Sequence, residues 1–310
     1  MSANLPKSGF KKTLRTLYMQ RHLYMLILPA FIILVLFSYQ PMYGAIIAFK
    51  NYNPMLGIWN SKWVGLLQFN KLFNSIFFWR VLTNTVLLSL YHLAWGFPMP
   101  IILALLLNEI SSTKLKRTVQ TITYLPHFLS WVIIGGFVFN LLSPSQGLLA
   151  SVSKLFGLRY DSAPLADPRY FRTILVASSI WQNVGWGTIL YLAAITGIDP
   201  ELYDAANMDG AGRLGKMLHV TIPGIMPTIA TLLILRMGGV MNSNFEQIFV
   251  LYSPSVYSVG DVISTYVYRE GIGRANFSYT TAMDLFRSVI NFGLIIATNR
   301  VSRMLGRSMW

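Results

Sequence analysis

Six long apolar runs divide the chain, and within them apolar and polar residues do not alternate. In order they are Leu23–Tyr43, Leu82–Leu107, Val119–Leu142, Phe171–Gly197, Leu218–Met241 and Thr281–Asn299. A helix needs about 20 apolar residues to cross a bilayer, and lipid offers backbone groups no other hydrogen-bond partner. Strands of a membrane barrel are about 10 residues long and do alternate. The pattern therefore predicts an all-α polytopic protein with six transmembrane helices.

Composition supports a membrane location. Of the 310 residues, 54% are hydrophobic and 12% are charged, whereas about 25% are charged in a typical soluble domain. The first run follows a basic leader, as in a cleaved signal peptide, but it ends without a small-residue cleavage site. We therefore expect it to be retained. The expected organisation is a basic N-terminal segment (1–22), a six-helix domain (23–300) and a tail (301–310).

The net charge of +14 would favour nucleic acid as the partner of a soluble protein. Here most basic residues flank the apolar runs, where they orient helices by the positive-inside rule. The denser group is Lys7, Lys11, Lys12, Arg15, Arg21, Lys114, Lys116, Arg117, Arg213, Lys216, Arg300, Arg303 and Arg307. Their side is predicted to be cytoplasmic, with both termini, in a bacterial inner or plasma membrane. We expect lipid as a neighbour and no nucleic acid.

The residues that carry most enzyme chemistry are sparse. The chain has no cysteine, and its four histidines (His22, His92, His127 and His219) show no metal-ligand spacing. Each histidine is interpreted as a lone polar residue near a helix end or a helix contact. Paired carboxylates and nucleophile motifs are also missing. The sequence predicts no metal, no cofactor and no catalytic site.

The loop from Asp204 to Pro223 is the most distinctive polar stretch between two apolar runs. A short helix is predicted before its glycines, because Asp199 suits an N-cap and Pro200 suits the first helical position. Gly210 is expected to end that helix in the left-handed conformation. The whole connection, 199–217, is predicted to form an exposed helix, a sharp bend and a return to the membrane.

The same loop contains two nucleotide-binding look-alikes. Gly210, Gly212 and Gly215 spell G-x-G-x-x-G, and Gly210 to Lys216 spells a P-loop that has Met217 in place of Ser or Thr. Both motifs must follow a strand and open a helix, but here a helix comes first. The glycines are therefore interpreted as bend residues. A flexible connector and a docking surface for another protein remain as the two interpretations.

A family resemblance favours the docking surface. Asp204, Ala205, Ala206, then Gly210, then Val220 to Pro223 follow the spacing Glu-Ala-Ala, three residues, Gly, nine residues, Ile-x-Leu-Pro. That signature is typical of inner-membrane permease subunits of binding-protein-dependent ABC importers. Further stretches resemble the aldouronate-type branch for complex oligosaccharides: Phe49–Phe73, Tyr124–Trp131 and Phe245–Gln247.

The resemblance implies a type I importer permease fold and half of a path for oligosaccharides. It also implies partners: a second permease, expected to be a different chain, a cytoplasmic ATPase dimer and an extracytoplasmic solute-binding protein. ATP hydrolysis would occur on the ATPase. The residues expected to couple to it are Asp204, Ala205, Ala206, Asp209, Gly210, Gly212 and Pro223.

Polar and aromatic side chains inside or shortly after the apolar runs are candidates for the substrate path. They are Trp181, Gln182, Asn183, Tyr191, Arg236, Glu246 and Gln247. Aromatic residues in a span also serve as packing or interface anchors. Arg236 can favour an acidic sugar or can pair with Glu246 or backbone carbonyls. Asp284 and Arg287, three residues apart, can form an internal ion pair.

Two other classes compete with the permease. A self-contained secondary transporter or channel would show internal repeats, which the sequence lacks, and would leave the Asp204 loop unexplained. A membrane enzyme is third.

Overall fold

The structure, a computed structural model, describes residues 19–145, 147–157 and 163–304. Most of the predicted N-terminal segment 1–22 and most of the tail 301–310 lie outside the described residues. What the structure adds is therefore confined to the transmembrane region and its connections.

Six membrane-scale helical units follow the six predicted runs. We number them span 1 (Arg21–Phe49), span 2 (Ile76–Glu109), span 3 (Thr113–Phe128 with Trp131–Leu142), span 4 (Pro168–Thr196), span 5 (Arg213–Gly238) and span 6 (Phe277–Met304). By length and composition, spans 1, 2, 5 and 6 are long and apolar enough to cross a membrane, and span 3 is a fifth if its two halves count as one. Span 4 has 29 residues but carries more polar side chains.

Shorter elements lie in the connections and within the spans. The strands Lys50–Asn51 and Lys62–Trp63 pair antiparallel, so a small sheet is added to the predicted all-α fold. The short helices outside the spans are Gly57–Asn60, Leu67–Phe73, Leu148–Leu155, Pro200–Met208, Phe245–Leu251, Tyr257–Gly260 and Ile263–Val267. Turns of π-helix occur at Val35–Tyr39, His92–Gly96, Met217–Thr221 and Tyr268–Ile272, and 3₁₀ turns at Tyr43–Phe49, Leu125–Phe128 and Pro254–Val256.

Span 3 is broken where the sequence predicted one continuous helix. Its two halves meet at 104°. Pro126 lies in a 3₁₀ turn that ends the first half, and the Ser130 hydroxyl accepts a hydrogen bond from the Ile133 N–H (3.4 Å) to cap the second. A cap of this kind starts a new helix in a new direction, so the apolar run conceals a bend.

Span 2 begins earlier than predicted, at Ile76 instead of Leu82. The six added residues include Arg80, whose charge obscured the apolar pattern. In the structure Arg80 is exposed and its guanidinium lies 5.8 Å from the ring of Phe77. A long basic side chain of this kind can cover apolar surface while its charge stays in water.

Within the described part of the chain, three buried clusters hold the bundle together. One joins the start of span 2, the helix Ile263–Val267 and span 6 around Phe78 and Met283. The second joins spans 2 and 4 to the 245–262 segment around Phe171 and Leu251. The third joins the second half of span 2 to spans 4 and 5 around Tyr191. Span 4 contributes to two clusters and also packs against span 3, so it lies at the centre.

Gly185 of span 4 allows the close contact with span 3. A Cβ added there would overlap the carbonyl oxygen of Thr123, which belongs to the backbone and cannot rotate away. We expect Gly185→Ala to lower the free energy of unfolding by about 1–3 kcal/mol, as overpacking does. Gly136→Ala is the matched control, because nothing lies within 4 Å of its added Cβ. Thermal unfolding of the purified protein in detergent should separate the two variants; equal melting temperatures would contradict this packing.

Candidate functional site

The short helix Pro200–Met208, which we call the loop helix, begins as the sequence predicts. The Asp199 carboxylate accepts a hydrogen bond from the Glu201 N–H (3.0 Å), and Pro200 occupies the first helical position. This arrangement satisfies one of the free N–H groups at a helix start. The loop helix therefore has a fixed beginning directly after span 4.

The end of the loop helix is a Schellman motif. Gly210 has a φ of 75°, its N–H donates to the Asn207 carbonyl (3.1 Å), and the Ala211 N–H donates to the Ala206 carbonyl (2.9 Å). This pair of hydrogen bonds closes a helix when the residue after its C-cap is left-handed. Gly210 and Ala206 thus shape the bend itself, as the sequence predicted for Gly210.

Two side-chain contacts tie the loop helix to the beginning of span 5. The Lys216 ammonium donates to the Asn207 side-chain oxygen (2.9 Å), and the hydroxyls of Tyr203 and Thr221 lie 3.0 Å apart. Because Thr221 is buried, the second contact anchors the helix to the bundle. Spans 4 and 5 and the loop helix therefore form one braced unit.

Most of the predicted coupling residues lie on the surface of this unit. Asp204, Ala205, Asp209, Gly210, Gly212 and Pro223 are exposed, and Ala206 is half-buried. Three exposed apolar side chains that the sequence analysis did not single out accompany them: Leu202, Met208 and Leu214. Met208 is 89% exposed. Apolar residues within an otherwise polar loop were the signal that could have identified them.

The nucleotide look-alike does not have the geometry of a phosphate site. Gly210 follows a helix, and Gly215 lies inside the short helix Arg213–Lys216. A phosphate-binding loop instead follows a strand and precedes a helix whose N-terminus faces the phosphate. The prediction that these glycines form a bend is confirmed for Gly210.

A cavity of about 470 Å³ opens among spans 2, 4 and 5. Its lining combines hydroxyls, amides and one arginine with aromatic and aliphatic side chains. The polar members are Ser89, His92, Ser179, Asn183, Arg236, Asn242, Ser243 and Asn244, and the aromatic members are Phe97, Trp186 and Tyr191. A few polar groups in a mainly apolar pocket are typical of ligand sites.

The structure brings three of the seven predicted path residues to this cavity: Asn183, Tyr191 and Arg236. Among the described residues Arg236 forms no ion pair, with Glu246 or with any other carboxylate. Asp284 and Arg287 do pair, with 3.0 Å between their charged atoms. Arg236 therefore brings an unneutralised charge to the cavity.

The other four lie elsewhere. Trp181 is exposed outside the cavity lining, and Glu246 is exposed on the 245–251 helix. Gln182 and Gln247 are buried, and both donate hydrogen bonds to backbone carbonyls. Gln182 donates to the Leu129 carbonyl (3.1 Å), and Gln247 donates to the Leu175 carbonyl (2.6 Å). Gln182 thus connects span 4 to the break in span 3, and Gln247 connects the 245–251 helix to span 4.

His127, read from sequence as an isolated polar residue, supports the cavity wall. Its ring stacks on Trp186 at 4.6 Å with only 4° between the planes, and its Nδ1 lies 3.2 Å from the Asn183 side-chain oxygen. Both partners line the cavity. Because 59 residues separate His127 from Trp186, sequence spacing gave no signal of this contact.

A second polar network joins the 257–270 segment to spans 2 and 4. Asp261 and Arg269 form a largely buried ion pair, and Asn84 donates to the Asp261 carbonyl (3.0 Å). Arg172 in turn donates to the Asn84 side-chain oxygen (2.8 Å) and to the Val259 carbonyl (3.2 Å). Among the described residues no group of three His, Cys, Asp or Glu side chains is placed to hold a metal ion.

Comparisons with known proteins agree with this architecture. Residues 96–309 match the family described as "Binding-protein-dependent transport system inner membrane component". The chain is 43% identical over 300 residues to the polygalacturonan/rhamnogalacturonan transport system permease protein YteP of Bacillus subtilis (strain 168). The aligned region covers 97% of this chain and 93% of YteP.

Two solved structures are similar along nearly the whole chain. One is a bacterial ABC transporter involved in the import of the acidic polysaccharide alginate, with a TM-score of 0.88 and 41% identity over 94% of this chain and 99% of that one. The other is a bacterial alginate ABC transporter in complex with an alginate pentasaccharide-bound periplasmic protein, with a TM-score of 0.87 and 40% identity over 95% of this chain and 98% of that one.

The predicted permease fold is therefore confirmed. The family match favours a permease subunit over the two competing classes of protein, the secondary transporter and the membrane enzyme. The chain belongs to the family of inner membrane components of binding-protein-dependent transport systems, as a multi-pass permease subunit of a binding-protein-dependent ABC importer.

Proposed function

We propose that this permease forms half of the path for acidic oligosaccharides, and that its loop helix docks on a separate ATPase. The second half of the path is a different permease chain. The loop faces the cytoplasm of a bacterium, and the binding protein delivers substrate from the other side of the membrane. The observation that carries the proposal is a cavity lined by amides, hydroxyls, aromatic rings and Arg236, which has no ion-pair partner in the part of the chain that the structure describes.

The cavity chemistry suits a sugar that carries carboxylates. A guanidinium binds a carboxylate through two parallel hydrogen bonds, which fixes its orientation as well as its charge. Asn242 and Asn244 supply donors and acceptors for sugar hydroxyls, and Trp186 supplies a flat apolar surface for the C–H face of a ring. The alginate transporter that this chain resembles imports a polysaccharide described as acidic, which supports the charge assignment.

The braced geometry of the loop suits a mechanical role. The loop helix is capped at both ends and tied to span 5 through Tyr203 and Thr221, while span 4 ends directly before it. A force applied by the ATPase at Leu202, Ala205 or Met208 therefore reaches two spans that line the cavity. ATP-driven closure of the ATPase would thereby switch the side from which the cavity is open.

Gly210→Val tests the coupling role. A branched side chain in the left-handed conformation costs about 1–2 kcal/mol, so the Schellman bend should be lost locally. We expect normal membrane insertion and loss of both transport and binding-protein-stimulated ATP hydrolysis in the reconstituted importer. Ala206→Tyr should give the same phenotype, because Ala206 is half-buried at the bend.

The matched control for the glycine is Gly293→Val, since Gly293 lies in span 6 with nothing within 4 Å of an added Cβ. This variant should retain transport. Undiminished uptake by Gly210→Val or Ala206→Tyr would refute the coupling assignment.

Arg236→Gln tests the charge of the cavity. Removing one charged hydrogen-bond partner costs about 1.5–3 kcal/mol, so the KM for uptake of an acidic oligosaccharide should rise about 10- to 100-fold. Arg236→Lys should fall between this variant and the wild type, because lysine keeps the charge but not the two-pronged geometry. Arg300→Gln, at an exposed arginine of span 6, is the control. An unchanged KM for Arg236→Gln would exclude substrate contact by this residue.

A further inference from the structure

A row of aromatic rings extends from the region of the cavity along the 245–268 segment. Phe245 and Phe249 stack at 5.1 Å, Phe249 lies 5.9 Å from Tyr252, and Tyr252 lies 5.0 Å from Tyr257. Tyr268 contacts the first two rings, at 5.3 Å from Phe245 and 5.0 Å from Phe249. We call these five residues the aromatic strip.

The aromatic strip adjoins the cavity. Asn244 lines the cavity and also caps the 245–251 helix, its side chain accepting a hydrogen bond from the Gln247 N–H (3.4 Å). The buried face of that helix consists of Gln247, Ile248 and Leu251. Phe245 and Phe249, four residues apart and so neighbours on one side of the helix, lie off this face. The strip thus begins where the polar lining of the cavity ends.

The far end of the strip is held rigidly. The Arg269 guanidinium lies 4.5 Å from the centre of the Tyr257 ring, within the range of a cation–π contact, and its charge is paired with Asp261. Burial, with the neighbouring Tyr257, raises the pKa of Tyr252 to about 12. Like any phenol below its pKa, its hydroxyl can donate a hydrogen bond. The aromatic strip therefore has a ring held in place at its far end and hydroxyl groups that can form hydrogen bonds.

The outer side of the strip is exposed on this chain. Phe249 is 41% exposed and Tyr268 is 43% exposed. Glu246 is also exposed, between Phe245 and Phe249 in sequence, and it forms no ion pair among the residues that the structure describes. An unpaired carboxylate is costly against hydrocarbon. The exposed surface of span 1 is different, since its residues 25–28 are Met, Leu, Ile and Leu.

We propose that the aromatic strip is a second sugar-contact site, along which successive rings of an oligosaccharide move between the binding protein and the cavity. This inference rests on the proposed carbohydrate function and adds the residues outside the cavity that contact the chain. Aromatic rings pack against the apolar C–H face of a pyranose ring, and tyrosine hydroxyls reach its polar edge. A row of such rings favours a long substrate over a short one, because each added sugar can occupy another ring.

Cysteine protection in the assembled importer tests contact directly. The native chain has no cysteine, so Phe249→Cys and Tyr268→Cys each introduce a single reactive thiol into the permease. We expect the binding protein loaded with an alginate or galacturonic acid pentamer to slow maleimide labelling of both thiols at least threefold under turnover. Met55→Cys, 93% exposed in the 50–63 region, is the control and should label at an unchanged rate.

A thiol at position 249 that resists labelling with and without sugar would place the strip against another subunit or lipid and would overturn the proposal. So would labelling that the pentamer leaves unchanged. These outcomes concern the strip alone, since the pentamer can still be transported.

The length dependence of uptake provides the second readout. Phe249→Ala and Tyr268→Ala should each raise the KM for the pentamer about 3- to 10-fold, the range expected for loss of one aromatic contact, and change the KM for the dimer less than about twofold. Phe137→Ala removes an exposed ring from span 3 and should change neither KM. Equal effects on dimer and pentamer would contradict the strip, whereas a wild-type importer that moves neither acidic oligomer would contradict the proposed substrate class.

Discussion

Span 4 must satisfy its polar groups through neighbouring protein, because the hydrocarbon around it offers no hydrogen bonds. The Thr188 hydroxyl donates to the Val184 carbonyl and reaches the Pro100 carbonyl of span 2 (3.3 Å), and Gln182 donates to the carbonyl at the break in span 3. The Leu175 carbonyl and the Ser178 hydroxyl both accept from Gln247. An unmet polar group in such surroundings costs several kcal/mol, so these contacts fix span 4 against its neighbours.

That central position explains where the functional surfaces lie. The polar face of span 4 that is left uncovered forms a wall of the cavity at Asn183 and Trp186, and His127 holds both residues from behind. The far end of the same helix leads into the loop helix, which is tied to span 5. A displacement of the loop helix therefore moves two cavity walls together. Such a joint displacement is the form of coupling that we propose between the ATPase and this permease.

The sequence predicted local features well and tertiary ones poorly. The cap at Asp199 and the bend at Gly210 depend on residues within a few positions, so their chemistry was readable. Residue type could not say which face of span 4 would meet the cavity: Asn183 lines it, while the adjacent Gln182 is buried in a structural contact. The break in span 3 was hidden because Pro126 and Ser130 lie inside an apolar run, and the contact of His127 with Trp186 exists only after folding.

We expect the loop helix to touch a separate ATP-binding protein in the working importer. A photo-cross-linking amino acid at position 208 tests it most directly, because Met208 lies on the loop helix with 89% of the residue exposed. Irradiation of cells that express the active importer should join this chain to a cytoplasmic nucleotide-binding subunit, and Gly210→Val in the same chain should abolish the adduct. Adducts with lipid alone, or none from an importer that still transports, would contradict the account.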